Sequence, residues 1–258
     1  MPPDVDGAFD PALLARIEDA GINASAPREQ RWVDGWIVRF SPGKAKRARC
    51  IQAVAGGQLP VVDKLARCLP VYAAAGLRPY ARITPFSAPA ELDQSLEALG
   101  WERVDDTRVM VTRSWPPTVA MPAGFRLSPA EVDRFTAWIG AARSSSAAEQ
   151  AAHAERVAQS PVPYRALLAI DESERAVAGG QVAIEGDVAG LYDVFCAEDR
   201  RGRGLATGLC SALLGIAREA GASVAYLQVD AANEPARRVY RRLGFVDAYA
   251  YHYRTPSG

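Results

Sequence analysis

Apolar residues follow two different periods in the second half of this chain, and the change from one to the other marks the predicted elements. Three apolar runs, YRALLAI, AVAGGQVAIEG and DVAGLYDVFCA, are separated by short polar turns, which predicts three consecutive antiparallel strands. In residues 205–221 the apolar side chains instead recur every three to four positions, which predicts a helix. The run VAYLQVD, residues 224–230, predicts another strand.

The segments on either side of this block complete an alternating order. The stretch FRLSPAEVDRFTAWIGAA predicts a short strand and then a helix that begins at Ser128, with Glu131 three residues later as in a capping box. A second helix is predicted at about residues 147–159, and a last strand at residues 246–253. The predicted order of this half is therefore β-α-α-β-β-β-α-β-α-β.

The chain divides at the segment SWPPTVAMPAG, residues 114–124. Three prolines and the absence of periodicity predict a linker there. We therefore expect two domains, residues 1–117 and residues 118–258.

The first half contains a weak internal repeat of the second. Residues 72–106 align on residues 217–250 with one gap, so that Gly76 lies over Gly221 and the pair Gly100–Trp101 over Gly244–Phe245. Both copies predict helix, strand, helix and strand. The alternative is that any β-α-β unit would align equally well.

Composition narrows the class of protein. The chain is 49% hydrophobic and 23% charged, with 30 basic and 30 acidic residues, so we expect no general attraction to nucleic acid or to an anionic membrane. The four cysteines (Cys50, Cys68, Cys196, Cys210) lie in apolar contexts without metal-ligand spacing. We expect buried thiols in a reducing compartment and no bound metal. The start of the chain, MPPDVDGAFD, does not fit a signal peptide, so we expect a cytoplasmic protein.

Two motifs carry the candidate chemistry. In RRGRGLA, residues 200–206, Arg201, Gly204 and Ala206 fit the spacing [RQ]-x-x-G-x-[GA] between a predicted strand and a predicted helix. Glycines let the backbone approach a ligand closely, and the free N–H groups of a helix N-terminus suit a pyrophosphate. One strand later, NEPARRVYRRLGF places Asn233 as a helix N-cap and Tyr240 one to two turns further on.

In this order, R-x-x-G-x-A and N-x-x-A-x-x-x-Y-x-x-x-G-F resemble the GNAT superfamily of acyl-CoA-dependent N-acyltransferases, over roughly residues 125–254. The resemblance implies an α/β fold with a central mixed, mostly antiparallel sheet flanked by helices. Residues 1–117 would be a degenerate GNAT-like domain in a tandem arrangement, because Leu96 and Pro89 replace Tyr240 and Asn233 in the repeat.

The resemblance also implies the reaction. It is acetyl transfer from acetyl-CoA to a primary amine of a small molecule or peptide, by direct attack in a ternary complex, in a monomer or homodimer. A CoA or acyl-CoA sensor without turnover is the alternative, and a pure interaction module is a third possibility.

Site residues follow from the same resemblance. Tyr240 would protonate the departing thiolate, and Asp193 or Glu185 would be the general base. The alternatives are a tyrosine that only packs its ring and carboxylates that lie on the surface. The residues expected to hold acetyl-CoA are Val194, Phe195, Cys196, Arg201, Gly202, Arg203, Gly204, Leu205, Ala206, Thr207 and Asn233. The acceptor would lie against residues 135–159 and 249–254, and the single histidines His153 and His252 are not expected to be bases.

One structural expectation follows from chain length. A GNAT core usually closes with a pair of C-terminal strands, yet only about one strand remains after Phe245. An open sheet would leave an unpaired edge, which stable proteins cover. We therefore expect the first half, which ends in the strand-like residues 102–115, to cover or pair with this edge, either within the chain or from a second chain by exchange.

Overall fold

The structure is a computed structural model that describes residues 9–257; the outermost parts of the two expected domains, residues 1–8 and 258, lie outside it. The helices are α1 (Pro11–Ala24), α2 (Val61–Ala74), α3 (Leu92–Ala98), α4 (Val132–Ala142), α5 (Ala147–Ala158), α6 (Leu205–Glu219) and α7 (Glu234–Arg242). The strands are β1 (Gln30–Val33), β2 (Trp36–Arg39), β3 (Ile51–Gln52), β4 (Ala81–Ile83), β5 (Trp101–Thr112), β6 (Phe125–Ala130), β7 (Tyr164–Asp171), β8 (Ala176–Glu185), β9 (Val188–Cys196), β10 (Val224–Asp230) and β11 (Val246–Pro256).

The described strands form one mixed sheet of order β1-β2-β3-β4-β11-β5-β10-β9-β8-β7-β6. Two neighbouring pairs are parallel, β3 with β4 and β9 with β10, and the others are antiparallel. The predicted α/β class with a mixed, mostly antiparallel sheet is confirmed. So is the predicted order of elements from β6 to β11.

One predicted helix start is wrong. Ser128 lies inside β6, where it pairs with Leu168, and α4 begins after Glu131. The polar capping signature was outweighed by pairing with β7. The second helix, predicted at about residues 147–159, is confirmed as Ala147–Ala158, and Ser146 and Glu149 form a reciprocal capping box at its start that was not predicted.

Strands of the two halves exchange places at the centre of the sheet. Strand β5 of the first half lies between β10 and β11 of the second, and β11 lies between β4 and β5 of the first. Each half therefore supplies the strand that fills the gap in the other, and the expected pairing at the C-terminal edge is confirmed within one chain.

The exchanged strands also join the cores. Successive side chains of a strand point to opposite faces of the sheet. On one face Met110 packs with α6 and α7. On the other face Val109 and Val111 pack with α1 and the tyrosines of β11. All three are fully buried. The cores on both faces of the second half are therefore completed by a strand of the first half.

The expectation of buried thiols holds for Cys50, Cys68 and Cys210 but not for Cys196, which is only partly buried. Its exposure follows from its place at the end of β9, beside an open cleft. No helix within residues 9–257 is both long and apolar enough to cross a membrane.

Candidate functional site

Strands β9 and β10 separate half-way along their length. Their parallel pairing runs from Val188 with Val224 to Leu191 with Leu227 and then stops, although both strands continue. At the same point Asp193 has a positive φ of 52°, and the register between β8 and β9 shifts. Such a bulge bends its strand. The backbone of Val194 to Cys196 therefore pairs with β8 only and faces a gap on its other side.

The loop after β9 leads directly into the N-terminus of α6. Gly202 and Gly204 adopt positive φ angles of 77° and 83°, and Gly204 is the N-cap residue of α6. L-residues rarely adopt this conformation, so glycine is required for the turn. The first N–H groups of α6 have no partner inside the helix and point toward the gap.

A cleft of 590 Å³ opens between this loop and α7. It is lined by every residue expected to hold the cofactor except Arg203, which is exposed beside it. Among residues 9–257, four arginines and no carboxylate line the cleft, namely Arg200, Arg201, Arg238 and Arg242. Sequence reasoning missed Arg238 and Arg242. They lie on α7, where a helical projection of the motif around Tyr240 would have placed them near the loop.

Tyr240 lies where this cleft meets a second one. Asn233 caps α7 by accepting a hydrogen bond from the Ala236 N–H at 3.2 Å, which fixes the start of the helix that carries Tyr240. The ring is buried, with an edge-on contact to Phe245 at 6.1 Å between ring centroids. Burial, with Cys210 nearby, raises the pKa of Tyr240 well above the usual value. The phenol is therefore protonated at neutral pH.

The second cleft, of 490 Å³, lies on the other side of the gap. It shares Val194, Asn233, Ala236 and Tyr240 with the first. Both halves of the chain line it, and the first half contributes Lys44, Ala45, Lys46, Arg47, Asp105 and Thr107. This contribution of the first half was not predicted, although the basic run KAKRAR, residues 44–49, was a sequence signal for it.

The segments expected to face the acceptor contribute only in part. Arg143 from residues 135–159 and Tyr251 and Tyr253 from residues 249–254 line the second cleft. His252 instead lies buried on the other side of β11, with its Nε2 2.8 Å from Asp93. The alternation of β11 explains the difference, because neighbouring residues of a strand face opposite ways.

Asp193 lines the second cleft and is held by three polar side chains. Its carboxylate accepts hydrogen bonds from Arg143 at 2.6 Å and Gln181 at 3.0 Å, and His153 Nε2 lies 3.2 Å away. Burial alone would raise the pKa of Asp193, but His153 and Arg143 outweigh it and lower that pKa far below the usual value. The carboxylate is therefore ionised, and His153 contributes to the site through this contact.

Glu185 is not brought to the same place. It pairs with Val188 at the turn between β8 and β9, and its carboxylate accepts hydrogen bonds from Arg16 at 3.4 Å and Asn23 at 3.0 Å. Six residues of strand separate Val188 from Val194, which corresponds to about 20 Å. The structure thus places Asp193, but not Glu185, in the cleft that Tyr240 lines.

Comparisons with known proteins agree with this architecture. Residues 13–254 match the family described as "Probable histone acetyltransferase Rv0428c C-terminal". The chain is 25% identical over 229 residues to the N-acetyltransferase YobR of Bacillus subtilis, covering 87% of this chain and 91% of that protein. It is 34% identical over 136 residues to the mycothiol acetyltransferase of Clavibacter sepedonicus, which covers 50% of this chain and 45% of that one.

Two solved structures share the fold. A GCN5-related N-acetyltransferase from Kribbella flavida superposes with a TM-score of 0.66 at 19% identity over 95% of each chain. A tandem GNAT protein from the clavulanic acid biosynthesis pathway superposes with a TM-score of 0.60 at 15% identity, over 76% of this chain and 70% of that one. The chain is therefore a member of the Rv0428c C-terminal acetyltransferase family within the GNAT superfamily, and it is an acyltransferase.

Proposed function

We propose that the protein transfers an acetyl group from acetyl-CoA directly to a primary amine, with both substrates bound at once. One observation supports this most strongly: two clefts on opposite sides of the gap between β9 and β10 meet at Tyr240. Such an arrangement lets a thioester enter from one side and an amine from the other.

The first cleft would hold acetyl-CoA. The unpaired N–H groups at the start of α6 and the arginines of the cleft suit a pyrophosphate, because both supply positive charge to phosphate oxygens. The unpaired backbone of Val194 to Cys196 would then bind the pantetheine arm and direct an N–H at the thioester oxygen. A preorganised donor to a developing oxyanion typically contributes about 3 kcal/mol.

The chemical step needs one proton donor at the thiolate. The neutral amine nitrogen attacks the thioester carbonyl and loses one proton to water, the tetrahedral intermediate collapses to the amide, and the carbon–sulfur bond breaks. Tyr240 would give its phenolic proton to the departing thiolate and regain one from solvent. Because burial raises its pKa, the phenol carries this proton at neutral pH.

Asp193 is the better placed of the two carboxylates considered as bases. An ionised carboxylate with a very low pKa accepts protons poorly. We therefore propose that Asp193 attracts the substrate ammonium and orients Arg143 and His153, while the ammonium loses its proton to water.

The two halves would then have different tasks. We propose that residues 1–117 form a degenerate GNAT-like domain and residues 118–258 the catalytic domain. The exchange of β5 and β11 and the repeated helix-strand-helix-strand order support this division. The loop with positive φ angles and the tyrosine belong to the second half alone.

Calorimetry with acetyl-CoA and with CoA, followed by a thiol-release assay over a panel of amines, tests the proposal. We expect both cofactors to bind, and at least one amine to release CoA. Cofactor binding without thiol release for any amine would instead indicate a protein that binds CoA and does not turn it over.

A further inference from the structure

Arg47 is a cation of the first half that reaches into the second cleft. It lies in a short 3-10 turn, Lys46–Ala48, between β2 and β3. Its backbone carbonyl accepts hydrogen bonds from Arg39 and Gln52, which anchors the turn. Its side chain crosses to β10 and β11, where Nη1 donates to Gln228 Oε1 at 2.7 Å and to the Tyr251 hydroxyl at 3.2 Å.

Beyond Nη1, the described residues offer this guanidinium no hydrogen-bond partner, and its carbon lies 5.6 Å from the ring centroid of Tyr192. Within residues 9–257, no carboxylate forms an ion pair with Arg47, and only Nη1 makes hydrogen bonds. Nε is buried without a partner. Nη2 has no hydrogen bond within residues 9–257, and the partly exposed Arg47 side chain lines the second cleft.

Two buried arginines of the described residues form ion pairs. Arg82 forms a two-pronged ion pair with Glu18, and Arg254 bonds to Asp93, Glu97 and a backbone carbonyl. Arg39 lacks a carboxylate but uses all three nitrogens in hydrogen bonds. Arg47 differs from these three arginines, because no carboxylate of residues 9–257 pairs with it and its hydrogen bonds are made by Nη1 alone, to the neutral side chains of Gln228 and Tyr251.

The other charges of the cleft leave Arg47 available. Lys46 pairs with Asp105, and Arg143 pairs with Asp193, so these four charges cancel in pairs. Lys44 lies exposed at the rim, where its ammonium donates to the Arg143 carbonyl oxygen at 3.0 Å.

The cleft also has a direction. Asp230 lines it two residues after Gln228 on β10, and side chains two apart share one face of a strand. The two positions are separated by about 7 Å, with Asp230 on the side of α7 and Tyr240. A ligand along this strand would therefore meet the Asp230 carboxylate at one end and the Arg47 guanidinium at the other, in a cleft that Tyr240 also lines.

We propose that the acceptor amine also carries a carboxylate, and that Arg47 binds this carboxylate through its free Nη2 while the amine lies toward Tyr240. The acceptor class is thus an amino acid or a close derivative with a free carboxylate. This inference rests on the proposed function of the second cleft as the acceptor site. It makes Arg47 a specificity-determining residue supplied by the half of the chain that lacks the catalytic tyrosine.

Matched acceptors test the proposal. Amino acids of increasing length between amine and carboxylate are compared with their carboxamides, which keep the amine and lose only the negative charge. For the parent enzyme we expect kcat/KM by thiol release to favour the acids.

Arg47→Gln should raise KM for the acids on the order of 10- to 100-fold, the range for a lost charged hydrogen bond, and leave KM for the carboxamides within about twofold. Arg47→Lys should restore part of the preference, and Arg126→Gln, an exposed arginine on β6, should change nothing.

A binding measurement separates this inference from the proposed function. Calorimetry of the N-acetylated acids and carboxamides on the CoA complex needs no turnover. Arg47-dependent binding of the acids without any thiol release would support the carboxylate site and refute the transfer reaction. Turnover with equal preference for acids and carboxamides would support the transfer reaction and refute the carboxylate site. If no acid binds or reacts, or if Arg47→Gln weakens both series and acetyl-CoA equally, the carboxylate site is refuted.

Discussion

Removal of the first half should abolish folding of the catalytic half, although all motif residues lie in the latter. Strand β5 forms six residue pairs with β10 and nine with β11. A fragment of residues 119–258 would lose both sets, and β10 and β11 do not pair with each other in the described sheet. Strand β11 would be detached, and β10 would become an unprotected edge.

The cost of losing β5 is as large as the free energy of unfolding of a typical whole domain. At about 1 kcal/mol net for each backbone hydrogen bond, and roughly one bond per residue pair, the loss is on the order of 10 kcal/mol. Exposure of the apolar neighbours of Val109, Met110 and Val111 adds to it. Whole domains are stable by only about 5–15 kcal/mol. We therefore expect an insoluble or unfolded fragment.

Expression of the fragment, circular dichroism and the thiol-release assay measure this directly. A point variant in the full chain gives a graded version. Met110→Ala removes a fully buried side chain that packs in the same core as Tyr240, so we expect a loss of about 2–5 kcal/mol in the free energy of unfolding. Val62→Ala, at a position 57% exposed, is the matched control and should cost far less. A soluble, cooperatively folded and active fragment of residues 119–258 would refute the argument and make the first half a detachable accessory.

Three further predictions concern the site and its surroundings. Gly204→Glu should abolish acetyl-CoA binding measured by calorimetry, because a charged side chain would enter the loop at a positive φ. Gly221→Glu is the control. Gly221 has a φ of 94° on a surface turn away from the cleft, so this variant should carry similar backbone strain and leave binding intact. Tyr240→Phe should lower kcat by about 10²–10⁴-fold with acetyl-CoA affinity unchanged, and a rate within about twofold of the parent would leave the tyrosine a packing role only. Burial lowers the pKa of His252 despite the opposing effect of Asp93, so the unfolded chain binds this proton at higher pH than the folded one. The free energy of unfolding in urea should therefore fall as pH drops through about 6.5, and an equal slope in His252→Asn would contradict this assignment.

Local sequence was sufficient for most elements of the second half. Strand β10 was predicted with its observed bounds, and Asn233 was predicted as the cap of α7, because alternation, helical spacing and capping act within a few residues. Ser128 shows the limit of the same reasoning. Its capping signature was sound locally, yet pairing of β6 with β7 determined the helix start.

The sequence by itself determined the family motifs, the order of elements and the glycines that the loop before α6 requires. These depend on backbone conformation and on spacing along one segment. Only the tertiary structure decided which strand fills the gap beside β10, which of the two carboxylates lies in the cleft that Tyr240 lines, and that Arg47 reaches the second cleft. Such contacts join residues up to 204 positions apart, as between Arg47 and Tyr251, and no local pattern encodes which distant strand will lie alongside. These long-range contacts are set by the packing of the two halves against each other.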